Sequence, residues 1–426
     1  MNIATSFAKH EALRDSGTEW LGAIPSDWAM KKMKFLFRDH SRKGMPDAEL
    51  LSVTQNQGVV PRTWVENRMV MPSGNLESFK FIEEGDFAIS LRSFEGGLEY
   101  CHHDGIISPA YTVLKRRSED LSPAYYRYLF KSAAFISELQ TSVVGIREGK
   151  NISFEELSYS LMPIPSPEEQ RAIAAFLDGK CATIDEAVRI KEEQIRLLAE
   201  RRQILIQQAV TRGLNPDAPM KDSGIDWIDQ IPAHWDIQRF KYLFEQSRLP
   251  VRPTDEVVTS FRDGQVTLRS NRRLEGFTEA IIEGGYQGIR VGQLVLNSMD
   301  AFEGAIGVSE SDGKCTPEYV ICDPIQDGLS QHYFAYFLRE MALARYIQVI
   351  CNAVRQRAVR IRFNNLAHRF MLVPPAEEQK QIVEFVEATK KRIGDAITLK
   401  ESQITALREY KTSLINAAVT GKIKVI

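Results

Sequence analysis

The sequence lacks the features of membrane, secreted and disulfide-bonded proteins. No apolar run approaches the roughly 18 residues that cross a bilayer. Residues 1–12 have one lysine and no apolar core, so we expect no signal peptide. The five cysteines are scattered and form no Cys-x-x-Cys pair, which argues against a disulfide framework and a zinc knuckle. These absences predict a cytoplasmic protein with no membrane partner.

Motifs for catalysis are also missing. The sequence has no Gly-x-x-x-x-Gly-Lys-Ser/Thr phosphate loop, no Gly-x-Gly-x-x-Gly after a strand, no Gly-x-Ser-x-Gly and no His-Glu-x-x-His. Cys101-His102-His103-Asp104 has the residue types of a metal site. Its counterpart near Ser309–Asp312 has no His or Cys, so a loop is the better interpretation. We therefore predict a non-catalytic chain without a metal site.

The net charge does not indicate a partner, because 54 Lys+Arg and 56 Asp+Glu leave the chain at −2. For nucleic-acid binding the distribution of charge matters more than the total. Residues 355–362 contain four arginines, whereas residues 29–160 balance 17 Lys+Arg with 17 Asp+Glu. Any one basic cluster could be an ordinary solvated surface, so charge alone assigns no function.

What the sequence does contain is a repeat of about half its length. Asp15-Ser16-Gly17 returns as Asp222-Ser223-Gly224, and Ala209-Val210-Thr211 returns as Ala418-Val419-Thr420, at offsets of 207 to 209 residues. Solenoid repeats are much shorter, at roughly 20–50 residues. The chain is therefore predicted to be a duplicated module that presents two related sites.

Each copy is predicted to contain a mixed region of short strands and helices, followed by a long helix. The predicted strands are Asp86–Leu91, Ala110–Leu114, Gln293–Leu296 and Tyr319–Ile321, and the predicted shorter helices lie near Tyr125–Leu139 and His332–Ile350. Strands and helices in separate runs predict an α+β fold with two tandem mixed domains.

The two long helices carry the strongest local signals. Ser166 as N-cap, Pro167 at the first helical position and Glu169, which completes a Ser-x-x-Glu capping box, predict the start of the first helix, and Gly213 predicts its end. Apolar residues then recur at spacings of four and three, as in a coiled coil. The predicted seam consists of Ile184, Val188, Ile195, Leu198 and Leu205 in the first helix, and of Ile393, Ile397, Ile404, Leu407 and Leu414 in the second. We predict an antiparallel pair with pseudo-two-fold symmetry; the alternative is that each helix packs on its own globular region.

Polar loop residues vary between the copies while the framework around them is kept. Leu51–Val59 contains Gln55 and Asn56, and the equivalent Val258–Val266 contains Arg262. Arg, Asn and Gln side chains read base edges, and Lys and Arg hold phosphates. From residue type and loop placement, the candidate DNA contacts are Gln55, Asn56, Arg62, Arg92, Arg147, Arg262, Arg269, Arg290, Arg355 and Arg357.

Taken together, the pattern resembles the specificity (S) subunit of type I restriction-modification systems, across essentially the whole chain. The resemblance depends on three repeated motifs. They are the Gly-x-x-Trp-x-x-x-Ile-Pro-x-x-Trp openings (Gly17–Trp28 and Gly224–Trp235), the Ile-x-Phe-x-x-Leu stretches (Ile152–Leu157 and Ile361–Leu366), and the Pro-x-x-Glu-Glu-Gln helix starts (Pro165–Gln170 and Pro374–Gln379).

The resemblance implies a division into four segments. Residues 1–160 would comprise an opening segment and the first target recognition domain, 161–214 the central conserved helix, 215–370 the second target recognition domain, and 371–426 the C-terminal conserved helix. Each recognition domain would read one half of a bipartite site in double-stranded DNA.

The resemblance also implies the partners. Two modification (M) subunits would dock on the paired helices, and restriction (R) subunits would join through the complex. S-adenosylmethionine, ATP and Mg would be bound by those partner subunits, and no cofactor by this chain.

Two other functions remain open from the sequence. A coiled-coil adaptor without DNA readout would share the helices, and salt-dependent binding to duplex DNA distinguishes it from a specificity subunit. A single-chain methyltransferase would need an Asn/Asp-Pro-Pro-Tyr/Phe loop, but Pro374-Pro375 is not followed by an aromatic residue.

Overall fold

The computed structural model describes residues 7–65, 76–90, 93–144, 151–272, 285–351 and 360–426. The chain forms two compact units: unit 1 comprises Met1–Glu192 and Lys400–Ile426, and unit 2 comprises Glu193–Leu399. Within the described residues, no helix is long and apolar enough to cross a bilayer.

The first half of the chain contains short strands, short helices and the first long helix. Its described strands are β1 (Leu13–Asp15), β2 (Ala23–Pro25), β3 (Ala29–Lys32), β4 (Phe37–Asp39), β5 (Leu51–Thr54), β6 (Gly58–Pro61), β7 (Lys80–Ile82), β8 (Phe87–Ile89), β9 (Glu99–Tyr100), β10 (Gly105–Ile107), β11 (Thr112–Arg116), β12 (Val143–Val144), β13 (Asn151–Ile152) and β14 (Leu161–Ile164). Its described helices are α1 (Ser93–Gly96), α2 (Pro123–Leu129), α3 (Ala133–Thr141), α4 (Phe154–Leu157) and α5 (Pro167–Arg212).

The second half repeats this plan. Its described strands are β15 (Met220–Ile225), β16 (Ile228–Pro232), β17 (Asp236–Arg239), β18 (Phe244–Gln246), β19 (Val258–Ser260), β20 (Val266–Leu268), β21 (Gln287–Ile289), β22 (Leu294–Asn297), β23 (Ile306–Val308), β24 (Gly313–Cys315), β25 (Tyr319–Pro324) and β26 (Phe370–Val373). Its described helices are α6 (Gln331–Leu343), α7 (Tyr346–Ile350), α8 (Phe363–Ala367) and α9 (Ala376–Val419).

Both units are built on a four-stranded antiparallel sheet with the same strand order. The order is β4-β11-β8-β9 in unit 1 and β18-β25-β22-β23 in unit 2. The central pair of each sheet is in the same register, with Val113 opposite Ala88 and Ile321 opposite Val295. All four strands predicted from the sequence fall in these sheets, and the predicted α+β fold is confirmed.

Each of the two predicted helical stretches contains two helices. In unit 1, Ser132 separates α2 from α3, and its hydroxyl accepts a hydrogen bond from the Phe135 N–H at 3.2 Å. Serine in this role starts a new helix instead of continuing the old one. In unit 2 the break falls at Arg345, which has a φ of 58°.

The start of α5 is as predicted, but Glu169 has a different partner. The Ser166 hydroxyl accepts the N–H of Glu169 at 3.2 Å, and Gly213 follows the last helical residue with a φ of 73°. The Glu169 carboxylate does not complete the predicted capping box. It accepts the indole N–H of the buried Trp28 at 2.9 Å and so joins the opening segment to the helix.

The glutamine of the Pro-x-x-Glu-Glu-Gln motif has a structural role in both units. Gln170 is fully buried; its side chain accepts the N–H of Ser122 at 2.8 Å and donates to the carbonyl of Pro165 at 2.9 Å. Gln379 makes the equivalent bonds to Ser330 and Pro374. The motif therefore fixes the first turn of each long helix to the start of a shorter helix, α2 or α6.

Within unit 1, the long helices pack against each other in antiparallel directions. Asp185 of α5 pairs with Lys411 of α9 at 2.6 Å. Six residues further along α5, Lys191 donates to Gln403 at 2.7 Å, which lies eight residues earlier on α9. Such exposed contacts contribute about 0–1 kcal/mol each, so the apolar seam supplies most of the stabilisation.

The predicted seam residues all lie within the described part of the chain, and each is buried or half-buried. In unit 1, Ile184 and Leu414 belong to the same apolar cluster as Tyr125 and Leu129 of the globular region. The helix segments of unit 1 therefore pack on each other and on the globular region.

Candidate nucleic-acid interface

In unit 1, a hairpin presents the predicted polar residues. The turn between β5 and β6 exposes Gln55 and Asn56. The Thr54 hydroxyl donates to the carbonyl of Gly58 at 2.9 Å and accepts the N–H of Gln57 at 3.1 Å. The turn is thus fixed from within while its amide side chains face solvent.

A partly buried ion pair contacts the main chain of this turn. Lys131 donates to the main-chain carbonyl of Gln55 at 3.1 Å and to the fully buried carboxylate of Glu99 at 2.7 Å. Burial raises the pKa of Glu99, and the nearby Lys131 ammonium lowers it. Because Glu99 holds the Lys131 ammonium in place, the bond from Lys131 to the Gln55 carbonyl restricts the backbone of the turn.

The end of the same hairpin carries an arginine and an exposed aromatic residue. A 3-10 turn, Arg62–Trp64, follows β6, and Arg62 is half-buried. Trp64 is 59% exposed, with its ring 4.9 Å from that of His103 in an edge-to-face arrangement. Trp64 was not selected from the sequence, although a large aromatic two residues after Arg62 was an available signal.

Basic residues also meet at the β4–β11 edge of unit 1. Arg38 lies opposite Lys115 in the strand register, and Arg42 follows β4. Burial lowers the pKa of His40, and the charges of Lys115, Arg38 and Arg42 lower it further. Lys115 is paired with Glu83. The fold therefore combines two basic clusters that are separate in the sequence.

In unit 2, the equivalent hairpin exposes Arg262, but acidic residues surround it. Its guanidinium lies 3.1 Å from Asp300 and 2.5 Å from Glu303. Arg272, at the other end of the hairpin, pairs with Asp263 at 2.7 Å and lies over the ring of Phe261 at 4.3 Å. A phosphate that approaches this surface would compete with carboxylates for the same guanidinium groups.

Two other predicted residues of unit 2 lie further inside. Arg269 is half-buried and donates to the Thr259 hydroxyl at 3.3 Å. The Arg290 side chain is only 14% exposed and pairs with the Asp255 carboxylate at 3.1 Å. Arg290 also donates to the carbonyl of Gly313 at 3.0 Å. Its hydrogen bonds stabilise the fold, so we leave Arg290 out of the proposed interface.

Four predicted DNA contacts lie outside the described residues, namely Arg92, Arg147, Arg355 and Arg357. Sequence reasoning also missed two arginines of unit 2, Arg248 and Arg362. They line a polar cavity of about 350 Å³ together with Gln246, Glu318 and Asn364. The signal for Arg362 was present in the basic run 355–362, whereas Arg248 belongs to no basic run and its next cation is Arg252.

No metal-binding group of three His, Cys, Asp or Glu residues occurs within the ranges that the structure describes. His102 and His103 interact with aromatic rings instead, at 4.7 Å from Tyr100 and 4.9 Å from Trp64. The five cysteines are free thiols. Residues 102–104 lie outside the strands and helices, as the loop interpretation predicted.

Two relatives match the chain over most of its length. The type I restriction enzyme EcoBI specificity subunit of Escherichia coli is 20% identical over 411 residues, which cover 91% of this chain and 81% of that protein. The putative type I restriction enzyme MjaX specificity subunit of Methanocaldococcus jannaschii is 20% identical, with both chains fully covered. No protein-family model matches the chain.

Two solved structures share the fold. The HsdS subunit from Thermoanaerobacter tengcongensis has a TM-score of 0.56 at 16% identity, covering 94% of this chain and 98% of that one. A chain from a structure on complex assembly and conformational transition of the type I R-M system has a TM-score of 0.64 at 15% identity, covering 93% and 98%. The predicted resemblance to type I specificity subunits is therefore confirmed, as is the fold.

Proposed function

We propose that this chain is the DNA-recognition subunit of a type I restriction-modification enzyme, with each unit reading one half of a bipartite site. The observation that carries the proposal is the repeated sheet and hairpin. One framework presents Gln55 and Asn56 in unit 1 and Arg262 in unit 2. Two copies of one scaffold with different polar tips are suited to two different half-sites.

The long helices have two roles in this proposal. They dock two modification subunits, and their length sets the spacer between the half-sites. Exposed apolar side chains on α5 support a docking role, since Ile190 is 44% exposed and Leu197 is 49% exposed. Contiguous exposed apolar patches are typical of protein interfaces, and these two side chains are one heptad apart on the same helix.

Catalysis belongs to the partner subunits in this proposal. The modification subunits would bind S-adenosylmethionine and methylate adenine, and the restriction subunits would use ATP and Mg. The chain itself would contribute target choice. Because its net charge is −2, much of the phosphate contact in the assembled enzyme would come from the partners.

An exchange of recognition regions tests the proposal. Residues 29–160 are replaced by the equivalent region of another specificity subunit, and the chimaera is assembled with the modification subunits. Mapping methylated adenines should show one altered half-site and one retained half-site. The matched control replaces residues 236–369, the equivalent region of the second copy, and should alter the other half-site only.

Two results would contradict the proposal. A change in both half-sites after one exchange would rule out one recognition unit per half-site. Absence of duplex DNA binding, by the chain alone and in the assembled complex at low salt, would favour an adaptor whose helices join protein partners.

A further inference from the structure

The polar cavity of unit 2 has an excess of positive charge. Arg248 and Arg362 line it from two different segments, against one acidic residue, Glu318. The Glu318 carboxylate is partly engaged elsewhere, since it lies 3.9 Å from the guanidinium of Arg360. Gln246 and Asn364 add amide groups to the lining. The cavity is therefore suited to an anion with several acceptor oxygens.

These two arginines differ from five other arginines of the same unit. Arg252, Arg262, Arg272, Arg290 and Arg360 each form an ion pair with an aspartate or glutamate. Arg248 and Arg362 form no ion pair with any carboxylate in the described part of the chain, and both are exposed. A ligand anion could bind them without displacing a carboxylate.

The backbone beneath each arginine is fixed. Arg248 follows Ser247, which is 7% exposed and donates its N–H to a carbonyl of β25 at 2.8 Å. Arg362 follows the fully buried Ile361, whose carbonyl accepts the hydroxyl of Ser298 at 2.6 Å. Long side chains on fixed backbone lose less freedom on binding than side chains on a flexible loop.

The duplication provides a comparison within the same chain. Ser41 stands at the position of Arg248, four residues after the equivalent phenylalanine at the start of β4. Ser153 stands at the position of Arg362, directly before α4. Both serines are compatible with the shared framework, so neither arginine is required for folding. The paired charge is specific to unit 2.

We propose that Arg248 and Arg362 together bind one backbone phosphate of the DNA duplex at the second recognition unit. This inference rests on the proposed function. Guanidinium groups match phosphate oxygens with parallel hydrogen bonds, and two of them can engage one phosphate. Such a contact fixes the position of the protein on the duplex without reading its sequence.

The test uses the full-length chain, alone and assembled with the modification subunits. Binding to target and non-target duplexes is measured over a salt series for wild type and for the double variant Arg248→Ser, Arg362→Ser. The variant should bind both duplexes more weakly by the same factor, and the slope of log K against log salt should become shallower by about 0.9. The serines are those of unit 1, so the variant should remain folded.

Arg252→Ser is the matched control, because Arg252 is an exposed arginine of the same unit that already pairs with Asp312 at 3.1 Å. It should leave the salt slope unchanged. An equal change of slope in this control would show a general charge effect and would overturn the assignment.

A thermal-shift titration with inorganic phosphate tests whether the cavity binds free phosphate or the phosphates of the DNA backbone. If the double variant lost only phosphate binding and kept full DNA affinity, the site would not be a DNA contact.

The remaining outcomes separate this inference from the proposed function. If wild type binds duplex DNA and the double variant binds identically, the phosphate assignment alone fails. If the loss is confined to the target sequence, the arginines read bases and the assignment is again wrong. If wild type binds no duplex in either form, both the inference and the proposed function fail.

Discussion

Tyr125 donates its phenolic hydrogen to the main-chain carbonyl of Val419 across 2.9 Å, and both residues are fully buried. The two residues are 294 positions apart, so the last turn of α9 is fixed into unit 1. Unit 2 repeats this contact with Tyr333 and Val210, at 3.0 Å, where α5 ends. Each globular region therefore holds the C-terminal end of a long helix.

Removing the hydroxyl of Tyr125 should destabilise unit 1, and removing the hydroxyl of Tyr333 should destabilise unit 2. Tyr125→Phe and Tyr333→Phe each leave a buried carbonyl without its donor, which costs about 1–3 kcal/mol. Urea unfolding should show a lower midpoint for each variant. Tyr242→Phe is the control, because Tyr242 is 55% exposed, and its effect should stay within about 0.5 kcal/mol. Equal midpoints for wild type and both buried variants would contradict this role.

The sequence predicted what depends on neighbouring residues. The start of α5 follows from Ser166 and Pro167, and the seam follows from the spacing of apolar residues, so both could be predicted from the sequence. The Tyr125–Val419 bond was not, because nothing local in the sequence identifies a partner that distant. For the same reason, Glu169 was assigned to a capping box when its partner is Trp28, 141 residues earlier.

Glu340 should make the stability of unit 2 depend on pH. Burial raises the pKa of Glu340 from its ordinary value of 4.5 to about 7, although hydrogen bonds from Gln203 at 2.8 and 3.0 Å lower it. Below pH 4.5 the group is protonated in both states. Between pH 4.5 and about 7 it is protonated only when folded, so the free energy of unfolding should fall by about 1.4 kcal/mol per pH unit.

The measurement compares wild type with Glu340→Gln, which keeps the shape and an acceptor for Gln203. The wild-type unfolding free energy, taken relative to the variant, should fall by up to about 3 kcal/mol as pH rises from 4.5 to 7. Gln203→Ala removes a hydrogen bond to the ionised form, so the fall should still begin near pH 4.5 but should continue to a higher pH than in the wild type. Parallel pH profiles for wild type and Glu340→Gln would show that the carboxyl ionises freely in the folded state.

Removal of the acidic partners of Arg262 should strengthen DNA binding. Asp300→Asn with Glu303→Gln leaves the guanidinium free of the two carboxylates that now lie within 3.1 Å. The released arginine can then neutralise a phosphate, which should raise the affinity and steepen the salt slope by about 0.9. The same two changes in an Arg262→Ala background should have a smaller effect. An equal gain in both backgrounds would mean that lower negative charge, and not Arg262, is responsible.

The candidate interface was less predictable than the fold, because residue type does not reveal pairing. Arg262 and Arg290 both follow strand-like segments and were equivalent in the sequence. The structure exposes Arg262 on a turn, whereas Arg290 is bonded to Asp255, 35 residues earlier. Arg248 belongs to no basic run in the sequence, and the fold places it in the same cavity as Arg362.

The last prediction concerns the spacer between half-sites. Four residues inserted after Leu198 add about 6 Å of helix, or nearly two base-pair steps of about 3.4 Å. They also shift the apolar seam by a stutter, which rotates one end of the helix relative to the other. Methylation by the assembled complex, measured on a series of spacers, should therefore prefer a site lengthened by one or two base pairs, with the same bases in each half-site.

A seven-residue insertion at the same position is the matched control, because a whole heptad keeps the seam in register. It adds about 10.5 Å, or about three base-pair steps, with little change in rotation. If the helices set the spacer, the two insertions should give different preferred lengths, and the heptad should retain more activity because it keeps the apolar seam in register. A folded, active complex that kept the wild-type spacer with either insertion would show that the distance between half-sites is set elsewhere.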